Sequence, residues 1–315
     1  MITVRDLEQQ IRNFINHPRK QYVLLQDKAA WNMLCSCLDL IGDTELAIAA
    51  YGQNQSLEDV GGKYLLVYGI LQTLFLQQDA VRNLCEALNI EYAADPVLEQ
   101  IRKIRNDSIG HPTKRGNGKG KAFSFISRTS LSKYGFDLMT TYPDGRSPLF
   151  QHINILSLIE NQKQILTQVL TEVLKQLKKE EAEHKAMFKS DHVQDAFPNV
   201  LHYYFEKLYE TIHGSKPEEF GTIHINLIAE TLNNFKIKLE NRGILKAYDS
   251  VGYLLELLEY PIAQLSAYFV QPDAPTIDKK TAYIFAFFVE KHVEELIGIA
   301  KEIDEKYDAE DPEST

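Results

Sequence analysis

The sequence predicts a mainly α-helical protein that carries one small β-flap, and three observations lead to this prediction. Apolar residues recur every three or four positions along most of the 315 residues, as on the buried face of an amphipathic helix. Between about residues 122 and 152 apolar and polar residues alternate instead, as at Phe136-Asp137-Leu138, which is typical of short strands. Beyond residue 154 the helical spacing returns and continues through most of the chain.

Helix signals follow one another through the N-terminal region. Pro18 is expected to end the first helix, because proline disfavours the helical conformation of the residue before it. A second helix covers about residues 27–41, and Asp43 offers a cap for a short third helix. Gly61-Gly62 are expected to break the chain before a strongly apolar helix at about residues 64–77.

Asp95 and Pro96 predict the start of the next helix, because aspartate caps a helix and proline fits its first turn. Gly110 and Pro112 predict its end. We expect Gly110 to supply a left-handed exit and Pro112 to hold His111 extended. The chain would then fold back toward the last turn of the helix.

A long apolar stripe follows Asn154, which is expected to cap a helix that ends in a charged run at residues 178–185. This stripe suits packing in a bundle or against a partner helix. A polar stretch with a proline places a boundary near residue 190, so we predict a helical bundle with its flap in residues 1–190 and a C-terminal helical domain of unknown role in residues 191–315. Four helices are predicted there, at about residues 200–213, 222–240, 244–270 and 278–307, and Pro261 should kink or split the third.

The composition restricts the class of protein. We see neither a membrane span nor a secretory signal, since charges closely bound the apolar stretches and the N-terminus is amphipathic. Three cysteines, an odd number, argue against a disulfide framework. Cys35, Cys37 and Cys85 are interpreted as small core residues, and a reducing cytoplasm is the expected compartment.

Charge is distributed unevenly. The chain carries −10, which argues against loose attachment to nucleic acid or anionic lipid. Residues 102–128, however, hold eight basic residues against the single acid Asp107, so this window carries +7. Such a basic island indicates either a confined anion site or a solvated loop that happens to be basic.

The run Arg105-Asn106-Asp107-Ser108-Ile109-Gly110-His111-Pro112 combines residue types suited to phosphate chemistry. Arginine grips phosphate oxygens with a planar fork, and histidine moves protons near neutral pH. An amide such as Asn106 can hold an imidazole or a phosphate oxygen. RNA carries its own nucleophile, the 2′-hydroxyl, so a metal is not required in principle. The same residues also suit a purely structural role, because cations near a helix C-terminus interact favourably with its dipole.

The spacing Arg105-Asn106-x4-His111 resembles the signature of the HEPN superfamily, and the upstream helix that begins Tyr64-Leu-Leu-Val resembles the long bundle helix of such proteins. The resemblance covers roughly residues 20–180. It implies an up-down helical bundle, a homodimer in which two motifs meet, and metal-independent cleavage of RNA without a cofactor that leaves a 2′,3′-cyclic phosphate. By position, Arg105 would stabilise the phosphate, His111 would act as acid and base, and Asn106 would orient or polarise the reacting groups. A role as a toxin or antiviral defence effector, with an antitoxin or regulatory partner, is a further expectation.

The segment after the motif fits RNA as a ligand. Four basic residues follow within about ten positions, at Lys114, Arg115, Lys119 and Lys121, and glycines lie between them. Contacts of this kind give affinity but little sequence choice. Phe123, Phe125 or Tyr134 could stack on bases, although alternating aromatics more often form a buried face. The segment is not a P-loop, because Ala122 follows Gly120-Lys121 in place of serine or threonine.

Other interpretations remain open at this stage. A catalytically silent HEPN-like dimer could bind RNA or nucleotide, or scaffold a protein partner through its long helix, and an accidental motif in a structural protein is a third possibility. Glu181-x-x-His184 and Glu210-x-x-His213 have the spacing of di-iron ligands, but neither has partner glutamates on a facing apolar stripe. No membrane partner is expected.

Overall fold

A computed structural model describes residues 2–53, 59–114, 121–270 and 276–309. The protein is 74% helix and 6% strand, with one small antiparallel sheet, which confirms the predicted fold class of a mainly α protein with a β-flap. The chain divides into two compact units. Unit 1 comprises Met1–Asn16 and Leu24–Lys178, and unit 2 comprises His17–Val23 and Lys179–Thr315. The sequence interpretation placed the boundary near residue 190, whereas this division falls inside a long helix.

Among the described residues five α-helices precede the flap, and the second of them was not predicted. They are α1 (Val4–Ile15), α2 (Pro18–Leu24), α3 (Lys28–Gln53), α4 (Val60–Ala87) and α5 (Pro96–Arg105). Pro18 does end α1, but it also begins α2, because proline fits the first turn of a helix.

Two predicted breaks in these helices were wrong. The expected cap at Asp43 lies inside α3, because the neighbouring Thr44 is buried and its hydroxyl donates to the Leu40 carbonyl oxygen within the helix (2.8 Å). Gly61-Gly62 lie in the first turn of α4, where the Asp59 carboxylate accepts the Gly62 N–H (2.7 Å) and so caps the helix.

The core of unit 1 contains a chain of buried polar side chains that crosses from α3 through α4 to α6 (Ile155–Phe188). Gln77 Nε2 donates to Glu45 Oε1 (2.7 Å), and Gln162 Nε2 donates to Gln77 Oε1 (2.9 Å). Around these groups pack apolar residues, including Leu38, Ile41, Leu71, Leu74, Val81, Leu166 and Leu170. Because buried polar groups are costly without partners, these bonds fix how the three helices pack.

The flap consists of strands β1 (Phe123–Ile126), β2 (Gly135–Thr141) and β3 (Leu149–Asn154), which are antiparallel in the order β1-β2-β3. Phe136 and Leu138 of β2 provide its buried face. β3 leads directly into α6, where the Asn154 side chain accepts the Ser157 N–H (3.0 Å), which confirms the predicted cap. The flap therefore belongs to the body of unit 1.

Unit 2 contains the four predicted C-terminal helices, α7 (Leu201–His213), α8 (Glu218–Asn241), α9 (Asp249–Val270) and α10 (Lys279–Asp308), preceded by a 3-10 turn at Val193–Ala196. Pro261 lies inside α9 and does not split it. The helices enclose an apolar core that includes Phe205, Phe235, Leu258 and Val289. The Asp304 carboxylate accepts the N–H groups of Val193 and Gln194 (2.8 and 2.9 Å), which ties the 3-10 turn to α10.

Within residues 2–53, 59–114, 121–270 and 276–309, no helix is both long enough and apolar enough to cross a membrane.

Candidate functional site

The motif begins at the end of α5, whose start is capped by Asp95 as predicted, since its carboxylate accepts the Val97 N–H (2.7 Å). After Arg105 the helix widens into one π turn, Asn106–Gly110. It closes with a hydrogen bond from the His111 N–H to the Asn106 carbonyl oxygen (2.7 Å). Turns of this kind are rare and are frequently found at functional sites.

Gly110 has a different role from the one predicted. Its backbone does not adopt the left-handed conformation, and His111 has φ −138° and ψ 49°, so it is not extended as expected before proline. Instead, the π turn places Gly110 directly against the Arg105 guanidinium. A Cβ at Gly110 would lie 2.6 Å from Arg105 Nη1 and 3.1 Å from Asn106 Oδ1. A side chain at this position would therefore displace the guanidinium.

Arg105 is half-buried and held from three directions. Its Nε and Nη2 donate to Gln72 Oε1 of α4 (3.1 and 2.6 Å), and its Nη1 donates to Asn106 Oδ1 (3.0 Å). Its Cζ lies 4.3 Å from the centre of the Phe75 ring. A guanidinium has five N–H groups, so two remain for a ligand after these bonds, counted over the described residues. The side chain is both positioned and able to bind an anion.

Arg102, one helical turn earlier, provides a contrast. Its Cζ lies 4.1 Å from the centre of the same Phe75 ring, but its Nη1 donates to the Asp79 carboxylate (2.8 Å). Arg105 bonds amide oxygens and, within the described ranges, no carboxylate. Its positive charge is therefore less compensated than that of Arg102, which favours attraction of a phosphate.

The His111 imidazole is exposed to solvent, and its side chain has no hydrogen-bond partner in the part of the chain that is described. Its position is set through the backbone. The His111 N–H is bound to Asn106, and the carbonyl oxygen of the next residue, Pro112, accepts the Ser124 N–H of β1 (2.9 Å). The backbone of His111 is thus fixed, while its imidazole remains open to a substrate. It does not contact the Arg105 side chain through a hydrogen bond.

Asn106 connects the other two motif residues. Its side-chain oxygen accepts from Arg105, and its backbone oxygen accepts from His111. It also lines a cavity of about 280 Å³ between α4 and α5, together with Arg102 and Lys103. The predicted orienting role thus has a geometric counterpart, although its target here is the arginine and not the imidazole.

Of the four predicted phosphate-binding residues, two can be located. Lys114 is exposed, three residues after His111, and Lys121 is partly exposed, two residues before β1. Arg115 and Lys119 lie outside the described residues.

The positioning residues on α4, Gln72 and Phe75, were missed in the sequence. The only available signal was a glutamine interrupting an apolar helix, and nothing local connected it with Arg105 more than thirty residues later. The contact is tertiary, so helical periodicity could not predict it.

The residues with di-iron spacing have other partners. Glu181 forms an ion pair with Arg19, His184 Nε2 lies 3.0 Å from the Tyr307 hydroxyl, and Glu210 accepts from Lys207 Nζ (2.7 Å). In the described portion of the chain, no three His, Cys, Asp or Glu side chains are grouped to hold a metal ion.

Two of the three cysteines are core residues as predicted. Cys37 and Cys85 are buried, and burial raises the pKa of each thiol to about 11. Cys35 is only partly buried. A thiol with a raised pKa is a poor nucleophile and a poor metal ligand at neutral pH.

Comparisons with models of protein families, with curated proteins and with solved structures found no significant match to this chain.

Proposed function

We propose that this chain is a metal-independent endoribonuclease of the HEPN type. The single observation that carries the proposal is the π turn, which holds the Arg105 guanidinium against Gly110 and fixes the backbone of the exposed His111 directly after it. An anchored cation and an open proton carrier are therefore carried by one short segment. These are the groups that transfer of a phosphoryl group within RNA requires.

In the proposed reaction, an imidazole takes the proton of a ribose 2′-hydroxyl, and the 2′-oxygen attacks the adjacent phosphorus. The bond from phosphorus to the 5′-oxygen breaks, and that oxygen receives a proton. The products are a 2′,3′-cyclic phosphate and a 5′-hydroxyl. The two free N–H groups of Arg105 would bind the phosphate oxygens, where negative charge increases in the transition state.

One imidazole is either a base or an acid at a given moment, whereas this reaction uses both at once. A second copy of the chain would supply the second His111, so the proposal includes a homodimer. The exposure of His111 supports this arrangement, because its imidazole is accessible to both a substrate and a second copy.

The test is RNA cleavage in EDTA by the wild-type protein and by His111→Ala, Arg105→Ala and His152→Ala. We expect the wild type to release fragments with cyclic-phosphate ends and His111→Ala to be at least about 100-fold slower, which is the usual contribution of a general acid or base. His152, an exposed histidine of the flap paired with Asp137, is the matched control and should leave cleavage unchanged. Cleavage by His111→Ala at the wild-type rate would refute the assignment.

A second candidate is a catalytically silent protein that binds RNA or nucleotide. The observation that favours it is that Gln72, Asn106 and Phe75 already engage Arg105, as they would a structural side chain. An uncleavable RNA separates the two candidates. If it binds with an affinity that depends on Arg105 while no RNA is cut, the silent protein is correct.

A further inference from the structure

A second cavity lies on the side of the π turn that faces the flap. It has a volume of about 370 Å³ and is open to solvent. Four aromatic side chains line it, Tyr64 and Tyr68 from α4 and Phe123 and Phe125 from β1. Pro112, the residue after His111, also lines it, so the cavity lies next to the motif segment.

Ser108 lines this cavity, and among the described residues its hydroxyl has no hydrogen-bond partner. It lies in the π turn, is 3% exposed, and lines the cavity. Its Oγ is buried and makes no hydrogen bond among the described residues. An unpartnered buried hydroxyl is unfavourable for folding, so a turn of the Ser108 side chain toward a ligand in the cavity would remove this cost.

We propose that this cavity binds the base of a single-stranded RNA nucleotide next to the phosphate held by Arg105. The inference rests on the proposed function and names the part of the substrate that the site recognises. Aromatic rings stack on the faces of bases, and a hydroxyl can donate to or accept from a base edge. Tyr68 and Phe125 are 43% and 52% exposed, so their rings are accessible for stacking.

The charges around the cavity suit a nucleotide better than an apolar protein surface. Lys114 follows Thr113, a lining residue, and Lys121 precedes Phe123 by two positions, so both chain segments that enter the cavity carry a cation. Phosphates on either side of a bound base would lie near these cations. A purely apolar partner would leave the Ser108 hydroxyl without a hydrogen bond.

The test measures binding without cleavage. The probe is a short single-stranded oligonucleotide with 2′-fluoro sugars, which lacks the attacking hydroxyl, and with one 2-aminopurine whose fluorescence falls on stacking. We expect the wild type to quench the probe, and Tyr68→Ala and Phe125→Ala each to weaken its binding by roughly 5- to 100-fold, as for loss of one stacking ring. Phe150→Ala is the control, because Phe150 is 67% exposed on β3 of the same flap and does not line the cavity.

Ser108→Ala distinguishes recognition from packing. Removal of an unpartnered hydroxyl should leave the thermal midpoint unchanged or raise it, yet weaken probe binding about 3- to 10-fold by the loss of one hydrogen bond. A structural role alone would not combine these two results.

Three results would overturn the inference. The first is that the wild type does not quench the probe. The second is that the Tyr68, Phe125 and Ser108 variants all bind the probe as tightly as the wild type. The third is that the aromatic variants convert a dimer to a monomer while Ser108→Ala binds the probe normally. The last would identify the cavity as an interface between copies.

If RNA is cleaved in EDTA but these variants bind normally, the inference fails and the ribonuclease stands. If binding depends on them but no RNA is cut, the inference stands and the ribonuclease fails.

Discussion

Two arginines, one in each unit, lie against aromatic rings in opposite circumstances. Arg105 in unit 1 is half-buried, stacks on Phe75, and its three nitrogens all donate to side-chain amides. Arg242 in unit 2 is almost fully buried, with its Cζ 4.8 Å from the Phe188 ring, and its Nε and Nη2 have no partner among the described residues. Arg105, the more accessible of the two, therefore has more of its nitrogens in hydrogen bonds than Arg242.

The difference indicates different roles. Arg242 has a carboxylate nearby, since Asp191 Oδ2 lies 3.5 Å from its Nη1, and its remaining surroundings are rings and backbone. Its charge is compensated within unit 2. Arg105 is oriented by neutral groups that leave its charge available. A side chain that binds an anion must be held in a fixed orientation while its positive charge stays uncompensated. Burial of an arginine alone is not a sign of function.

The largest effect is expected from Arg105→Ala, compared with Arg102→Ala. Loss of a positioned donor to the phosphate should lower RNA cleavage roughly 100-fold or more. Arg102 stacks on the same Phe75 ring but is paired with Asp79, so its removal should change the rate only a few-fold. Single-turnover rates in EDTA measure both. Equal losses would mean that the charge near Phe75 matters and the motif position does not.

Gly110→Ala should have a smaller effect, about 10-fold on cleavage. The added methyl would meet Arg105 Nη1 at 2.6 Å and displace the guanidinium. Because it meets the end of a flexible side chain, stability should fall by only about 1 kcal/mol. Cleavage rates and thermal midpoints are measured together. A wild-type rate for Gly110→Ala would show that the exact position of Arg105 is unimportant.

Arg242→Met should leave cleavage unchanged and raise the stability of unit 2 by about 1 kcal/mol. Replacement of a buried ionic group by an apolar side chain of similar size is often neutral or stabilising. Asp191 would still be paired with Lys238. The control Arg242→Ala leaves a cavity and should lower stability by about 2–4 kcal/mol. Denaturant unfolding gives both values, and a large loss for Arg242→Met would reverse the interpretation of this arginine.

The smallest effect concerns pH. Burial lowers the pKa of His184 in unit 2, and the nearby Arg19 lowers it further. Because the unfolded chain binds this proton at a higher pH, near about 6.5, the stability that His184 contributes is present above that pH and is lost as pH falls below it. Hydrogen exchange of α7–α10 between pH 7.5 and 5 should show this loss, and His184→Gln should reduce it. An identical pH profile for His184→Gln would exclude this residue as the cause.

Trp31 makes the comparison between the units practical, since it is the single tryptophan of the chain and belongs to unit 1. Its fluorescence should follow unfolding of unit 1, while exchange in α7–α10 follows unit 2.

Local sequence patterns predicted the elements of this fold well. Helical spacing, the Asp95-Pro96 start, the Asn154 cap and the alternation in the flap all correspond to observed elements. The errors at Asp43 and at Gly61-Gly62 arose because cap and break signals compete with tertiary packing. A helix buried on a long apolar face continues through residues that would end it in isolation.

The candidate site was only partly predictable. The motif residues came from a short pattern and a resemblance, but the conformation of the segment that carries them did not. A π turn has no clear sequence signature, and the groups that orient Arg105 lie on α4, far away along the chain. Ser108 and the cavity it lines depend on how β1 packs against the π turn, which is a property of the folded unit.

The hydrogen bond from Ser124 to the Pro112 carbonyl oxygen has a consequence for how this protein can diversify. It joins the two ends of the segment that carries the basic residues. The length of a closed segment affects stability only weakly, by about 0.6 kcal/mol for each doubling. Insertions, deletions and changes of charge between residues 113 and 123 can therefore accumulate in descendants of this sequence without moving His111 or β1. Under the proposed function, the affinity for RNA could change there while the residues that carry the chemistry stay in place.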